Sequence, residues 1–434
     1  MKRLLTVWMM IVVSVITITM STGLASVPEF VINNGVLVKY NGKGGKVVIP
    51  EGVTSISSEV FLGCRNLTSL ILPDSLTSIG ANVCYKCENL KSIVFPEKLI
   101  SIGDNAFSHT GIAEITIPAS VTSIGFSFRA GKMKKIFVDS RNSKYCDIDG
   151  VLFNKSATEL IIYPYSRSDK TYTIPDGVLT ICDGAFYCPY LTSISIPDSV
   201  TSLSGYSFYC EKLQEILVDD LNGQYSVIDG VLFNKSATEI VLYPRVIKNS
   251  SYTIPESIAS IGKYAFRGCN KLKNITLPKH LTNIGIFAFE GCKGLCSIAL
   301  PDGITEIGVG IFYECSGLKS IYIPNSVESI GECSFAFCTS LKNIDIPESV
   351  KAIDRFAFES CSSLTNVTLS SQLKTIGDYA FTECKKLKAI RIPPSVKSIG
   401  ESAFKNTITL NVDKDTYSNN YAIQNGYKYK IVSN

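Results

Sequence analysis

The chain has 434 residues, of which 45% are hydrophobic and 18% are charged, and its formal net charge at pH 7 is +4. This much apolar material can form a buried core, which excludes a disordered chain. Nucleic-acid binding needs a concentrated basic surface, so the small net charge argues against that function.

The first 25 residues are typical of a secretory signal peptide. A positive start at Lys2 and Arg3 precedes an uncharged stretch over residues 4–20, and Gly23 and Ala25 are the small residues that a signal peptidase recognises. We expect cleavage after Ala25, with a retained membrane anchor as the alternative. No later apolar run reaches the roughly 18 residues that a membrane helix needs, so we expect no membrane insertion after cleavage.

Residues 26–50 predict an N-terminal hairpin cap. An apolar run from Gly35 to Tyr40 is followed by a glycine-rich stretch over residues 41–45 and by a second apolar run over residues 46–50. Two such runs around a turn are typical of a β-hairpin. We expect this hairpin to cover the N-terminal edge of the fold, since an open edge invites pairing with another chain.

A 23-residue period dominates the rest of the chain. It is marked by one residue per repeat, namely Pro255, Pro278, Pro301, Pro324, Pro347, Ser370 and Pro393. A fixed period of this length means that one short unit stacks on copies of itself. The pattern therefore favours a long recognition surface over a single catalytic pocket.

The repeat that begins at Leu318 shows how a unit is built. Leu318, Ile321 and Ile323 have the spacing of a short strand with one face inward, and Pro324 ends this strand because it lacks an N–H. A second apolar pair follows and precedes a glycine. The tract around Phe335 then predicts one helical or 3₁₀ turn with an inward aromatic ring.

Thirteen units can be counted by the isoleucine of the IG position, which is a leucine in one unit. These residues are Ile56, Ile79, Ile102, Ile124, Ile181, Leu203, Ile261, Ile284, Ile307, Ile330, Ile353, Ile376 and Ile399. Two of the intervals are longer and contain nearly the same insert, because residues 149–159 recur as residues 229–239. Each insert predicts a β-hairpin.

The predicted fold is a single-domain repeat solenoid, mainly β with short helical or 3₁₀ turns, coiled as a leucine-rich-repeat superhelix with hairpin inserts. The solenoid covers residues 51–405, and the inserts lie at about residues 139–174 and 219–254. Residues 406–434 break the repeat and are expected to form the C-terminal cap.

The unit IP-(D/E)-S-V-xx-IG-xxAF-xxC-xxL-xxI-x resembles the BspA-like leucine-rich repeats of bacterial surface proteins over about residues 45–405. The resemblance implies a secreted or surface-displayed protein that adheres to host matrix proteins, to epithelium or to other bacteria. It also implies a scaffold without catalytic residues, so we expect no enzyme and no cofactor.

Ten of the fifteen cysteines recur once per coil, three residues before the leucine of the strand. These ladder cysteines are Cys64, Cys87, Cys188, Cys210, Cys269, Cys292, Cys315, Cys338, Cys361 and Cys384. One residue per coil is typical of a small buried hydrophobic side chain, so we expect free buried thiols rather than disulfides or a metal site. The remaining cysteines, which allow one disulfide or reactive thiol, are Cys84, Cys146, Cys182, Cys296 and Cys333.

Catalytic and metal sites are not predicted. His109 and His280 fall in turns of different coils, which argues against a Cys–His nucleophile pair. The segment from Asp147 to Gly150 faintly resembles a calcium loop, but Val227 replaces the first aspartate in the second copy. We therefore expect no metal.

The outward positions of the strands carry the prediction of function. They are mostly small polar residues, interrupted by a few large side chains. We predict a ligand-binding face in the later coils, formed by Ser320, Tyr322, Asn343, Asp345, Asn366, Thr368 and Arg391. Residues that merely keep a sheet soluble would give the same pattern, which is the structural alternative.

The sequence therefore predicts a secreted or cell-surface repeat protein whose partner is a protein or glycan on a cell or matrix surface. Adhesion to host or neighbouring-cell proteins is the first hypothesis. A glycan-binding or purely structural surface protein is the alternative. Nucleic acid is not an expected partner.

Overall fold

The computed structural model describes residues 28–128, 131–247 and 249–432. The predicted signal peptide lies outside these residues. The described chain is a β-solenoid of about 17 turns with almost no helix, which confirms the predicted fold class. Each insert supplies a coil of its own that lacks the IG pair, so the thirteen counted units are fewer than the turns.

The chain divides into two compact units, each built from stacked coils. The first contains the described residues up to Asp169 together with Gly184–Tyr190. The second contains Lys170–Asp183 and the described residues from Leu191 onward.

Each regular coil contributes a two-residue strand at its IG position. In the first unit these short strands are Ser55–Ile56, Ser78–Ile79, Ser101–Ile102 and Ser123–Ile124. In the second unit they are Thr180–Ile181, Ser260–Ile261, Asn283–Ile284, Glu306–Ile307, Ser329–Ile330, Ala352–Ile353, Thr375–Ile376 and Ser398–Ile399. Neighbouring short strands pair in parallel with isoleucine beside isoleucine, as Ile330 does with Ile353. The short strands at the IG positions of successive coils thus form a parallel sheet.

Longer strands form the second sheet surface of each unit. In the first unit they are Gly45–Val48, Leu67–Ile71, Glu114–Ile117 and Lys135–Val138. In the second unit they are Thr171–Thr173, Ser193–Ile196, Glu215–Val218, Ser251–Thr253, Asn274–Thr276, Ser297–Ala299, Ser320–Tyr322, Asn343–Asp345, Asn366–Thr368, Ala389–Arg391, Thr409–Val412 and Lys428–Ile431. Their side chains alternate as predicted: Ile344 is buried, whereas Asn343 and Asp345 are exposed.

The corner between a short strand and the next long strand differs from the prediction. Within the described residues the only 3₁₀ helix is Gly205–Ser207, and the other corners are successive turns. The reason is visible in the backbone, since a typical corner has two residues with positive φ, such as Phe356 at +58° and Ser360 at +56°. A left-handed residue interrupts the run of right-handed conformations that a helix needs.

Stacked phenylalanines and cysteine thiols fill the core of the second unit. The rings of seven successive coils lie with centroids 5.1–5.6 Å apart, and they are Phe266, Phe289, Phe312, Phe335, Phe358, Phe381 and Phe404. Beside them each thiol donates to a carbonyl of the preceding coil, as Cys338 Sγ does to Phe312 O at 3.2 Å. Coils of equal length are needed for both columns to stay in register.

Each insert folds as a three-stranded antiparallel meander, one strand more than the predicted hairpin. The strands are Tyr145–Ile148, Val151–Asn154 and Glu159–Ile162 in the first insert, and Tyr225–Ile228, Val231–Asn234 and Glu239–Leu242 in the second. The last strand of the second meander pairs in parallel with Ser260–Ile261 and so rejoins the short-strand sheet. Tyr243 then stacks on Phe266 at 5.0 Å, where a phenylalanine would stand in a regular coil.

The N-terminal hairpin is present with a different pairing from the one predicted. Strand Phe30–Asn33 pairs antiparallel with Val36–Tyr40. The expected pairing of Val36–Tyr40 with residues 46–50 is wrong, because Gly45–Val48 pairs in parallel with Leu67–Ile71. Asn34 and Gly35 both have positive φ, which is the two-residue turn that suits a hairpin and sets its position.

The C-terminal region contains the only α-helix of the described residues, Tyr417–Gln424. Thr416 caps it by accepting a hydrogen bond from the backbone N–H of Asn419. After the helix, Lys428–Ile431 pairs in parallel with Thr409–Val412 and extends the long-strand sheet.

Candidate functional site

The residues predicted to bind a ligand lie together on neighbouring long strands of the second unit. We call six of them the polar face: Ser320, Tyr322, Asn343, Asp345, Asn366 and Thr368. Strands Asn343–Asp345 and Asn366–Thr368 are in parallel register, so Asn343 lies beside Asn366 and Asp345 beside Thr368. Their function as a binding site remains a prediction.

The polar face is internally ordered. Asn366 Nδ2 donates to Asn343 Oδ1 at 3.0 Å, and Thr368 Oγ1 donates to Asp345 Oδ1 at 2.7 Å. These bonds fix the side chains in the geometry of the sheet, and they leave further acceptor and donor capacity toward solvent. Tyr322 is 60% exposed and is the largest side chain of the polar face.

Arg391 behaves differently from the other predicted residues. Its Nη2 lies 2.8 Å from both carboxylate oxygens of Asp413, and its side chain is only partly exposed. The guanidinium is therefore held within the chain. The sequence did not reveal this partner, because Asp413 belongs to the region where the 23-residue pattern has ended.

The first unit exposes apolar side chains at one outward repeat position of its coils, three of them on long strands and one in a coil without an assigned long strand. We call Val48, Ile71, Val94 and Phe137 the apolar stripe; their exposed fractions are 54%, 42%, 83% and 39%. Val48 lies in register beside Ile71, and Phe137 beside Thr116. Four exposed apolar residues at one repeat position, interrupted only by Thr116, are typical of a contact surface. Strand alternation places them outward, a signal that was available in the sequence.

The ladder thiols from Cys269 to Cys384 are buried, as predicted, whereas the ladder thiol of Cys64 is half-buried. Burial raises the pKa of Cys384 to about 12 and that of Cys338 further still. Off the ladder, Cys146 and Cys333 are half-buried, and burial raises the pKa of both thiols. Thiols in this state are weak nucleophiles.

The aspartates of the segment that faintly resembles a calcium loop bind other groups of the protein. Asp147 Oδ1 accepts from the backbone N–H of Val138 at 2.8 Å, and Asp149 forms an ion pair with Arg167. Over the described residues, no group of three or more His, Cys, Asp or Glu side chains is arranged to hold a metal ion. His109 packs edge-on against Tyr85 with ring centroids 5.2 Å apart.

The stacked coils with their paired strands define a leucine-rich-repeat protein. A sequence profile of the BspA type leucine rich repeat region (6 copies) matches residues 39–157, 134–251, 243–327 and 305–427. These matches cover most of the chain, so the protein belongs to this family. In the part of the chain that the structure describes, no helix has the length and apolarity to cross a membrane.

The chain is similar to several solved structures of leucine-rich repeat proteins and of a bacterial antigen. A leucine-rich repeat protein from Eubacterium ventriosum is 24% identical over 86% of this chain and 90% of its own, with a TM-score of 0.51. The pneumococcal vaccine antigen PcpA is 20% identical over 93% of this chain and 96% of its own, with a TM-score of 0.43. A leucine rich cell surface protein from Faecalibacterium prausnitzii is 24% identical over 89% and 97%, with a TM-score of 0.39. No curated protein matches the chain.

Proposed function

We propose that the protein is a secreted or cell-surface scaffold that binds macromolecular partners and mediates adhesion to host or neighbouring-cell proteins. Membership of the BspA type family supports this function, as does the signal-peptide pattern of residues 1–25. The repeat fold offers extended surfaces rather than a catalytic pocket, so the proposed role is not enzymatic.

The observation that carries the proposal is the exposed surface of the long strands. In the second unit the polar face offers amide, carboxylate and hydroxyl groups around the exposed ring of Tyr322. In the first unit the apolar stripe offers aliphatic and aromatic contacts. Protein-binding surfaces combine such an aromatic or apolar centre with a polar rim.

A glycan is the alternative ligand, and the polar face favours it specifically. An exposed tyrosine beside ordered Asn and Asp side chains presents both a ring for stacking and hydrogen-bonding groups for sugar hydroxyls. A purely structural surface protein remains the third hypothesis and predicts no ligand for either surface.

These hypotheses are separated by measuring binding of the mature chain to a panel of matrix proteins and to a glycan array. The variants are Tyr322→Ala and Arg391→Ala on the long strands of the second unit and Val94→Ser on the apolar stripe. Leu221→Ala is the matched control, because Leu221 is 82% exposed but lies in an insert turn.

We expect at least one matrix protein to bind, with at least about fivefold weaker affinity for Tyr322→Ala or Val94→Ser and no change for Leu221→Ala. Arg391→Ala should have the smaller effect, because Asp413 already holds the guanidinium. Binding to glycans alone would replace the first hypothesis by the second. Wild-type affinity of Tyr322→Ala, Arg391→Ala and Val94→Ser would refute the proposal that the outward side chains of the coils bind the partner.

A further inference from the structure

A trough of about 360 Å³ lies in the second unit, at the corners between short and long strands. Its floor is one position of the repeat in four successive coils: Arg245, Gly268, Gly291 and Glu314. The two central residues are glycines with φ of +71° and +66°. Because neither glycine carries a side chain, space is left above both, and the guanidinium of Arg245 occupies the part over Gly268.

The second insert places the cation in this column. Tyr243 takes the position of the stacked phenylalanine, and Arg245 follows two residues later, as Gly268 follows Phe266. A Cβ atom on Gly268 would lie 2.9 Å from Cζ of Arg245 and 3.2 Å from its Nη1. The guanidinium therefore lies directly over Gly268, in space that only a glycine leaves open.

Arg245 is held rigidly at this position. Its Cζ lies 3.9 Å from the ring centroid of Tyr209, and its Nε donates to the backbone carbonyl of Arg267 at 2.8 Å. A guanidinium fixed by stacking and by its Nε still has two Nη groups that can donate. Since the side chain is already ordered, binding a ligand costs little additional conformational entropy.

The trough is lined by the carboxylates of Glu211, Glu290 and Glu314 as well as by cations, and none of these three described side chains forms a salt bridge with Arg245. The neighbouring Arg267 is paired with Glu290 at 2.8 Å, so these two charges balance. Among the described residues, Arg245, Lys271 and Lys293 form no salt bridge. The backbone of Glu314 is three coil steps from that of Arg245, about 14 Å at the usual strand spacing.

We propose that this trough binds an oxyanion group of a ligand, a carboxylate, sulfate or phosphate, on the Nη groups of Arg245. The planar guanidinium can donate two parallel hydrogen bonds to such a group. Lys271 and Lys293 are exposed at the rim and flank the anion. The trough lies on the corners rather than on the long strands, so it is a second site beyond the proposed adhesive surface.

The test is isothermal titration calorimetry of the mature chain with sodium sulfate, inorganic phosphate and sodium acetate, at an ionic strength held constant with chloride. The first variant is Arg245→Gln, and Arg245→Lys keeps the charge but not the bidentate donor. Arg65→Gln is the matched control, because Arg65 is an exposed arginine next to Glu88 in the first unit. Circular dichroism shows whether each variant is folded.

We expect saturable binding of at least one anion, weakened at least about tenfold by Arg245→Gln and less by Arg245→Lys, with no change in Arg65→Gln. A preference for sulfate and phosphate identifies a tetrahedral group as the ligand, and a preference for acetate identifies a carboxylate. No saturable binding to the wild type, or equal binding to Arg245→Gln, overturns the proposal.

A second variant covers the case in which Arg245→Gln does not fold. The double variant Lys271→Gln/Lys293→Gln changes only exposed rim side chains. We expect it to weaken anion binding about threefold, because solvent screens the attraction between an exposed lysine and an anion. Unchanged affinity in a folded double variant overturns the proposal. Failure of adhesion in the long-strand variants would leave this result unaffected.

Discussion

The stacked phenylalanine column predicts a large loss of stability on truncation of its central member. Phe335 is fully buried, and its ring stacks on Phe312 at 5.4 Å and on Phe358 at 5.1 Å. Replacing a buried phenylalanine by alanine costs about 3–5 kcal/mol through lost burial and the cavity that remains. Stacking on both sides places Phe335→Ala at the upper end of this range.

Two further variants separate the ring contacts from burial. Phe335→Leu keeps most of the apolar volume and loses the two aromatic contacts. At about 0.5–1.5 kcal/mol for each contact, the expected loss of unfolding free energy is about 1–3 kcal/mol. Phe404→Ala removes a ring that stacks on Phe381 at 5.6 Å and has only a longer, edge-on contact with Tyr427 at 6.4 Å. We therefore expect Phe404→Ala to cost less than Phe335→Ala.

The measurement is urea unfolding at 25 °C, followed by circular dichroism and extrapolated to water. Because repeat arrays can unfold in parts, the slope with urea is compared between variants as well as the midpoint. A loss below about 1 kcal/mol for Phe335→Ala, at unchanged slope, would show that the column does not hold the coils together.

Two further predictions follow from the corners and the thiols. Gly331→Ala should destabilise the protein by about 1–3 kcal/mol in the same urea assay, because its Cβ would lie 2.9 Å from the backbone oxygen of Ile307. The control Gly308→Ala should be neutral, because its Cβ would meet only a side-chain atom at 3.7 Å. Equal effects of the two substitutions would contradict this prediction. Iodoacetamide should leave the buried ladder thiols from Cys269 to Cys384 unmodified in the native chain and label them in urea, as read by mass spectrometry without reduction. Labelling of Cys333 should increase as the pH rises above 9, since burial raises the thiol pKa and only the thiolate reacts. A disulfide between ladder cysteines would refute the prediction that they are free thiols.

The repeat and its strands could be predicted because each coil repeats the same physical requirement. The inward leucine and isoleucine positions and the ladder cysteines recur at a fixed step, and the structure places them in columns. The corner was harder to predict. A helical corner and a non-helical corner would bury the same phenylalanine, so the apolar pattern does not distinguish them. What distinguishes them is the left-handed backbone at residues such as Phe356, and phenylalanine rarely adopts that conformation.

The candidate sites show what a single repeat cannot reveal. The polar face follows from strand alternation, but the ion pair of Arg391 with Asp413 depends on where the chain returns after the last coil. The glycine-rich stretch over residues 41–45 predicts a hairpin turn, but the turn lies at Asn34-Gly35, a dipeptide that favours two-residue hairpin turns more strongly. The trough needs Arg245 from an insert beside glycines of regular coils, so it arises only when the two meet in space.

The meanders also show how such a chain can change its length. In each one a tyrosine stands where a phenylalanine would, as Tyr163 does on Phe186 at 5.2 Å and Tyr243 on Phe266 at 5.0 Å. Corresponding residues of the two meanders are 80 positions apart. Duplication or deletion of such a block therefore presents each neighbour with a matching ring, and genetic recombination can lengthen the protein without a new core having to evolve.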